Sequence, residues 1–179
     1  EQTIADGIPV ATVMFADLVN FTRVASSMTP EQVFGMLNSI FSAFDDLCER
    51  FGLEKIKTIG DAYMAAGGIN STSSNPAIAI ADFALAMQAV LHRDYRVNAA
   101  HMEIRVGIST GPVVAGVVGK HKFIYDVWGD TVNLASRITS EGMPGTIHCD
   151  EGTQRCLSAH FDFAGPQRIS GSTLILDVP

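Results

Sequence analysis

Asn133 and Arg137 stand four residues apart in a stretch whose spacing predicts a helix over 132–138, so the two side chains share one helix face. Upstream, residues 123–127 are rich in aromatic and β-branched types and predict a strand with Asp126 at its end, and Gly129-Asp130 turns the chain from strand to helix. An amide, a guanidinium and a carboxylate can therefore converge on one ligand. The guanidinium fork matches phosphate oxygens and keeps its charge, whereas a carboxylate beside a backbone carbonyl, as at Asp126-Val127, suits the amino edge of a base. That chemistry suits a nucleotide. Taken singly, Arg137 reads more plainly as a solvated helix residue and Asp126 as a strand-end cap; the set together outweighs those readings.

Two further carboxylates fall at strand ends. Residues 9–16 form a continuous β-prone apolar run that ends at Asp17, the pattern of a buried central strand. Asp17 opens the loop Asp-Leu-Val-Asn-Phe-Thr, where Thr22 can cap a short helix and the backbone N–H groups around Phe21 and Thr22 can attract phosphate. Residues 53–59 and 62–66 predict a hairpin with Gly60-Asp61 at its tip, so Asp61 becomes the natural partner of Asp17. Without another carboxylate nearby, Gly-Asp would be ordinary turn chemistry. Lys57 lies in the same hairpin on the apolar side of Lys-Ile-Lys-Thr-Ile-Gly-Asp, where a solvated strand face does not need it; it reads as an ion-pair member or as a donor to a base. Two carboxylates at strand ends, a phosphate loop and an Arg/Asn helix are the components of two-metal phosphoryl chemistry.

These residues must be positioned by an alternation of strands and helices. The clearest helix begins at Thr29 as N-cap with Pro30 at N1 and Gln32 closing a capping box, stops before Gly52, and carries Val33, Leu37, Ile40, Phe44, Leu47 and Phe51 on one stripe. A polar loop over 70–76 leads into a second long helix from Asn75-Pro76 to about Leu91, with Ile80, Phe83, Met87 and Val90 inward. Residues 93–101 read as a connector, 102–110 as a strand, and Gly111-Pro112 as a turn into a further strand over 113–118. After residue 137 come a strand over 146–149, a short helix from Glu151, and strands near 161–163 and 174–178. The order predicts an α/β (α+β) sandwich with a ferredoxin-like βαββαβ core and additional C-terminal elements.

With 179 residues, 47% hydrophobic and 17% charged, the chain can bury a real core and is expected to form one domain, 1–179. Its net charge of −7 argues against a nucleic-acid partner, though metal ions would let an acidic protein bind ATP. Cys48, Cys149 and Cys156 lack CxxC spacing and the five histidines form no HExxH pair, which fits a reducing compartment without structural zinc. Apolar runs stop short of the roughly 20 residues that span a bilayer. The chain is expected to be a soluble, cytoplasmic piece of a longer protein, making no membrane contact itself, with any membrane anchor in segments outside it.

The run from Gly111-Pro112-Val113-Val114-Ala115-Gly116 through Tyr125-Asp126-Val127-Trp128-Gly129 to Thr131-Val132-Asn133-Leu134-Ala135-Ser136-Arg137 resembles the nucleotide-binding segment of the class III nucleotidyl cyclases. The likeness extends back to Phe15-Ala16-Asp17 and Lys57-Thr58-Ile59-Gly60-Asp61 and spans nearly the whole chain. It implies the class III cyclase fold, a head-to-tail homodimer with two sites at its interface, and two Mg²⁺ or Mn²⁺ ions per site. By the resemblance, Asp17, Asp61 and the carbonyl of Leu18 hold the metals; Asn133 and Arg137 orient the ribose and stabilise the transition state; and Lys57 and Asp126 select the base, with Val127, Phe21, Thr22 and Gly60 as further substrate contacts. The guanylyl cyclases of the family typically carry Glu at the Lys57 position, so an adenylyl cyclase acting on ATP is implied.

Two positions depart from the family pattern. Ile169-Ser170-Gly171-Ser172 stands where a lysine usually meets the terminal phosphates, with Arg168 or Lys122 as replacements, and Asn20 stands for a frequent Gly in the phosphate loop. Asn tolerates positive φ, so the second change is mild. The missing lysine is the one feature favouring a degenerate, nucleotide-binding regulatory module over an enzyme. A GGDEF-type cyclase is disfavoured because that motif does not occur.

Overall fold

The computed structural model describes residues 4–70, 75–97, 100–168 and 172–176. One sheet organises them, in the order β2-β3-β1-β6-β8-β10-β9 with β7 also paired to β6: β1 (Ala5–Val19), β2 (Glu54–Ile59), β3 (Ala62–Gly67), β6 (Glu103–Val118), β7 (Ile124–Trp128), β8 (Ile147–Cys149), β9 (Phe163–Arg168) and β10 (Ser172–Leu176). The four strands β2-β3-β1-β6, linked through helices α2 (Pro30–Arg50) and α3 (Pro76–Asp94), have the connectivity of the ferredoxin-like βαββαβ core. Strands β8 to β10 and helix α5 (Glu151–Leu157) are the C-terminal additions.

Helices α2 and α3 cover one face of the sheet. The α2 N-terminus carries the full capping box, Thr29 Oγ1 accepting from Gln32 N at 3.2 Å and Gln32 Oε1 from Thr29 N at 3.0 Å. The expected apolar stripe is inward: Ile40, Phe44 and Leu47 are buried with Ile80, Phe83, Met87 and Val90 of α3, while Val33, Leu37 and Phe51 pack at the margin. Each such side chain contributes on the order of 1.5–3 kcal/mol by leaving water.

The other face holds a second, smaller core. Val13, Phe15, Met64, Ala66, Val113, Val127 and Ala135 are buried there, with Ile56 and Tyr125 at its edge. These residues come from β1, β2, β3, β6 and β7 and from helix α4 (Asp130–Glu141). Strands β2 and β7 belong to opposite ends of the path β2-β3-β1-β6-β7, yet Lys57 on β2 meets Asp126 on β7. The sheet therefore curls around this core.

Several local expectations are corrected. Gly111-Pro112 is no turn: β6 runs unbroken through it, and the irregularity is taken up where Pro9 and Val10 face Pro112 between the Ile8 and Ala11 rungs of β1. Two prolines without N–H groups fit such a bulge. Thr22 does not cap the short helix α1 (Phe21–Ala25); it lies inside it, and Asn20 is the N-cap, at φ 63 and without a side-chain cap bond. Asn20 is the one non-glycine at positive φ among the described residues, the conformation its side chain tolerates. Residues 93–101 are more than a connector, since α3 continues to Asp94 and the short strands β4 (Arg96–Val97) and β5 (Ala100–His101) pair separately. Asp126 sits within β7, opposite Gly116, with Trp128 as the last strand residue. Residues 71–74 of the polar loop and 169–171 of the C-terminal departure lie outside the described residues. No helix of the described residues is long and apolar enough to cross a membrane.

His148 on β8 makes stability depend on pH. It is fully buried, and its Nε2 lies 2.8 Å from Thr146 Oγ1, whose own proton goes to the Met143 carbonyl. Nε2 is therefore the protonated nitrogen, and Nδ1 has no partner among the described residues. Burial depresses the His148 pKa below its ordinary 6.5. The unfolded chain thus takes up this proton first, so the stabilisation is complete above the unfolded pKa and is lost as pH falls through and below it. Melting at about pH 7.5 and about pH 5.5 should show a larger drop for the native chain than for His148→Gln. Equal drops would contradict the assignment.

Candidate active site

The ends of β1 and the β2–β3 hairpin place the carboxylates. Asp17 sits on the ladder between Ala62 of β3 and Arg105 of β6. Asp61 is one residue from Ala62, at a tip that turns on Gly60 with φ 60, and its carbonyl accepts from Leu18 N at 3.1 Å. That bond fixes the end of β1 against the hairpin. The Asp17 carboxyl is held above its usual range, first by burial and also by the neighbouring charge of Asp61, against the opposing pull of Arg105.

Arg105 escaped the sequence reading. Its Nη2 lies 3.3 Å from Asp17 Oδ2, its Nη1 donates to the Ser140 carbonyl at 3.2 Å near the end of α4, and its Nε is buried without a partner among the described residues. The available signal was a lone Arg inside an apolar strand, the criterion that singled out Lys57.

The donor set suits Mg²⁺ or Mn²⁺. Two carboxylates and a strand-end carbonyl are hard oxygen ligands, and among the described residues no group of three or more His, Cys, Asp or Glu could form an all-protein cage. A site with one or two carboxylates that leaves positions for substrate phosphates is the usual Mg²⁺ arrangement. A divalent cation would also offset the burial, and the smaller effect of the Asp61 charge, that raise Asp17.

Lys57 and Asp126, distant in sequence, form a bridge of 2.7 Å. The other Asp126 oxygen accepts from Val127 N at 2.8 Å, which fixes the carboxylate plane. Their side chains are 37% and 15% exposed, so the pair is shielded yet reachable. The Val127 side chain is buried in the second core and can offer a ligand only backbone atoms. Phe21 is likewise buried, so at this turn a ligand could meet only its backbone and exposed Thr22.

Asn133 and Arg137 project from the outer face of α4. Thr131, Ala135, Ile138 and Thr139 are the buried positions of that helix, whereas Asn133 and Arg137 are exposed. Among the described residues no hydrogen bond or ion pair holds either side chain. The expected residues thus gather into three groups: Asp17, Leu18, Gly60 and Asp61 with Arg105; Lys57 with Asp126; and Asn133 with Arg137, facing away from the sheet that carries Asp17 and Asp61.

Comparison with known proteins gives a consistent result. The family model described as the adenylate and guanylate cyclase catalytic domain matches residues 5–173. An adenylate cyclase of Mycobacterium tuberculosis is 44% identical over 158 residues, covering 88% of this chain and 36% of the relative. The guanylate cyclase soluble subunit beta-2 of Rattus norvegicus is 42% identical over 157 residues, 87% of this chain and 23% of that one. The chain thus spans about a third or less of the length of these relatives. Among solved structures, the non-canonical dimeric guanylyl cyclase domain of the RhoGC fusion protein from the aquatic fungus Blastocladiella emersonii superposes with a TM-score of 0.90 at 30% identity, covering 98% of this chain and 97% of that one.

Proposed function

Since the chain belongs to the adenylate and guanylate cyclase catalytic domain family, we propose that it is an adenylyl cyclase, converting ATP to 3′,5′-cyclic AMP and diphosphate. Relatives of both substrate types are similar to it, so the base must be read from the site itself. The observation that carries the choice is the Lys57–Asp126 pair at 2.7 Å. Adenine offers an acceptor at N1 to Lys57 and a donor at N6 to Asp126; guanine presents the reverse and leaves both unpaired. A site built on polar partners rejects the wrong analogue strongly.

In this reading Asp17, Asp61 and the Leu18 carbonyl hold two divalent cations. Bound there, the cations would lower the pKa of the ribose 3′-hydroxyl and neutralise the triphosphate. The backbone of Phe21, Thr22 and Gly60 lines the phosphates, and Asn133 holds the ribose so that its 3′-oxygen faces the α-phosphorus. That oxygen gives up its proton to water and forms the new P–O bond as the bond to diphosphate breaks, and Arg137 stabilises the charge that develops there. For the terminal phosphates, Arg105 is a better candidate than Lys122, which is exposed on the loop after β6. The outward direction of Asn133 and Arg137 supports a head-to-tail homodimer, one copy giving the carboxylates and the other the base pair and α4. We place the domain in the cytoplasm, where ATP and Mg²⁺ meet, with any membrane attachment outside this chain.

The test is the exchange Lys57→Glu with Asp126→Cys, assayed with ATP and GTP side by side. The native chain should prefer ATP, and the double variant should lose on the order of 100-fold or more in kcat/KM for ATP and gain activity with GTP. An unchanged preference would mean that the base is read elsewhere.

A further inference from the structure

Helix α4 lies on β6 with no room for a side chain between them. A methyl group at Gly107 would come within 2.3 Å of Thr139 Oγ1, 2.5 Å of the Thr139 nitrogen and 2.7 Å of the Ala135 carbonyl oxygen. Two of these atoms are helix backbone, so a change of rotamer cannot relieve the clash. Further along the strand, a methyl group at Gly111 would meet Thr131 Oγ1 at 2.6 Å. That hydroxyl is occupied, donating to the Pro112 carbonyl at 2.9 Å.

The two spacings match. Four strand residues from Gly107 to Gly111 cover about 13 Å, and eight helical residues from Thr131 to Thr139 cover about 12 Å. Thr131 and Thr139 therefore rest on the two glycines with the helix running antiparallel to the strand. Arg105 fastens the same helix near its end through the Ser140 carbonyl. The opposite face of α4 carries Asn133 and Arg137.

We propose that Gly107 and Gly111 are positioning residues, setting the height of α4 above β6 and hence the reach of Asn133 and Arg137 into the site. This rests on the cyclase reading of those two side chains. To restore ordinary contact at Gly107→Ala the helix must lift by roughly 1 Å, and a misplacement of that size can cost on the order of 100-fold in rate. Because the displaced groups act in the transition state, the loss should fall on kcat and leave KM for ATP nearly unchanged.

The experiment compares steady-state kinetics and thermal unfolding of Gly107→Ala, Gly111→Ala, Thr131→Ala, Gly111→Ala with Thr131→Ala, and Arg137→Ala. A folded Gly107→Ala should lose roughly 100-fold in kcat with KM within about twofold of the native value. Gly111→Ala should lose roughly 10-fold, and removing the Thr131 hydroxyl in the double variant should restore kcat to the level of Thr131→Ala alone. The split between kcat and KM separates positioning from a general loss of structure. A folded Gly107→Ala with native kcat overturns the proposal; if that variant does not fold, native kcat in Gly111→Ala, or a loss that Thr131→Ala fails to rescue, does so instead. An Arg137→Ala protein with native kcat would instead sink the catalytic role of Arg137 on which the proposal rests, whereas a native chain that makes no cyclic AMP would sink the cyclase reading itself.

Discussion

An Asp17→Ala chain should make no measurable cyclic AMP from ATP with Mg²⁺ or Mn²⁺, and Asp61→Ala should behave the same way. Both carboxylates stand at one corner of the sheet, joined by the Leu18–Asp61 backbone bond, and each would hold a cation that the reaction cannot do without. Losses of several orders of magnitude are expected, because the same ions would activate the nucleophile and neutralise the leaving diphosphate. The fold should survive. Burial is the main cause of the raised Asp17 pKa, so its charge is held at a cost, and removing it leaves Arg105 still bonded to the Ser140 carbonyl. Unfolding midpoints close to native would show this. If Asp17→Ala, folded and dimeric, kept more than a few per cent of native activity, the metal assignment would be wrong.

Much of this site was legible in the sequence because its residues sit where local rules are strong. The α2 capping box, the Gly60-Asp61 hairpin and the Asn133/Arg137 helix face each depend on spacings of a few residues, and all three are present. Asn20 at positive φ follows from its side chain alone. Long-range closure was not legible. Nothing local says that β2 and β7 approach across a curled sheet, so family likeness alone linked Lys57 with Asp126, and their direct contact was not foreseen. Gly111-Pro112 misled for the opposite reason: its local turn signal is strong, but pairing of β6 with β1 on both sides of the dipeptide overrides it. Arg105 was passed over because its meaning depends on which strand lies opposite, and the register with Asp17 appears only once the sheet is assembled.

Asn133 and Arg137 lie on the outer face of α4, directed away from the sheet of their own chain, while Asp17 and Asp61 lie near the end of β1 and at the β2–β3 tip. On the proposed reading a single chain presents two incomplete halves, and two copies related by a twofold axis would complete both. Specific activity should fall on dilution, as dimers dissociate. The most direct measurement mixes equal amounts of Asp17→Ala and Arg137→Ala, each inactive alone, and follows cyclic AMP formation from ATP. In a mixed dimer both lesions fall in one site and leave the other whole, so random exchange should restore about a quarter of native activity. A mixture that stays inactive, although cross-linking shows that mixed dimers have formed, would contradict the shared site.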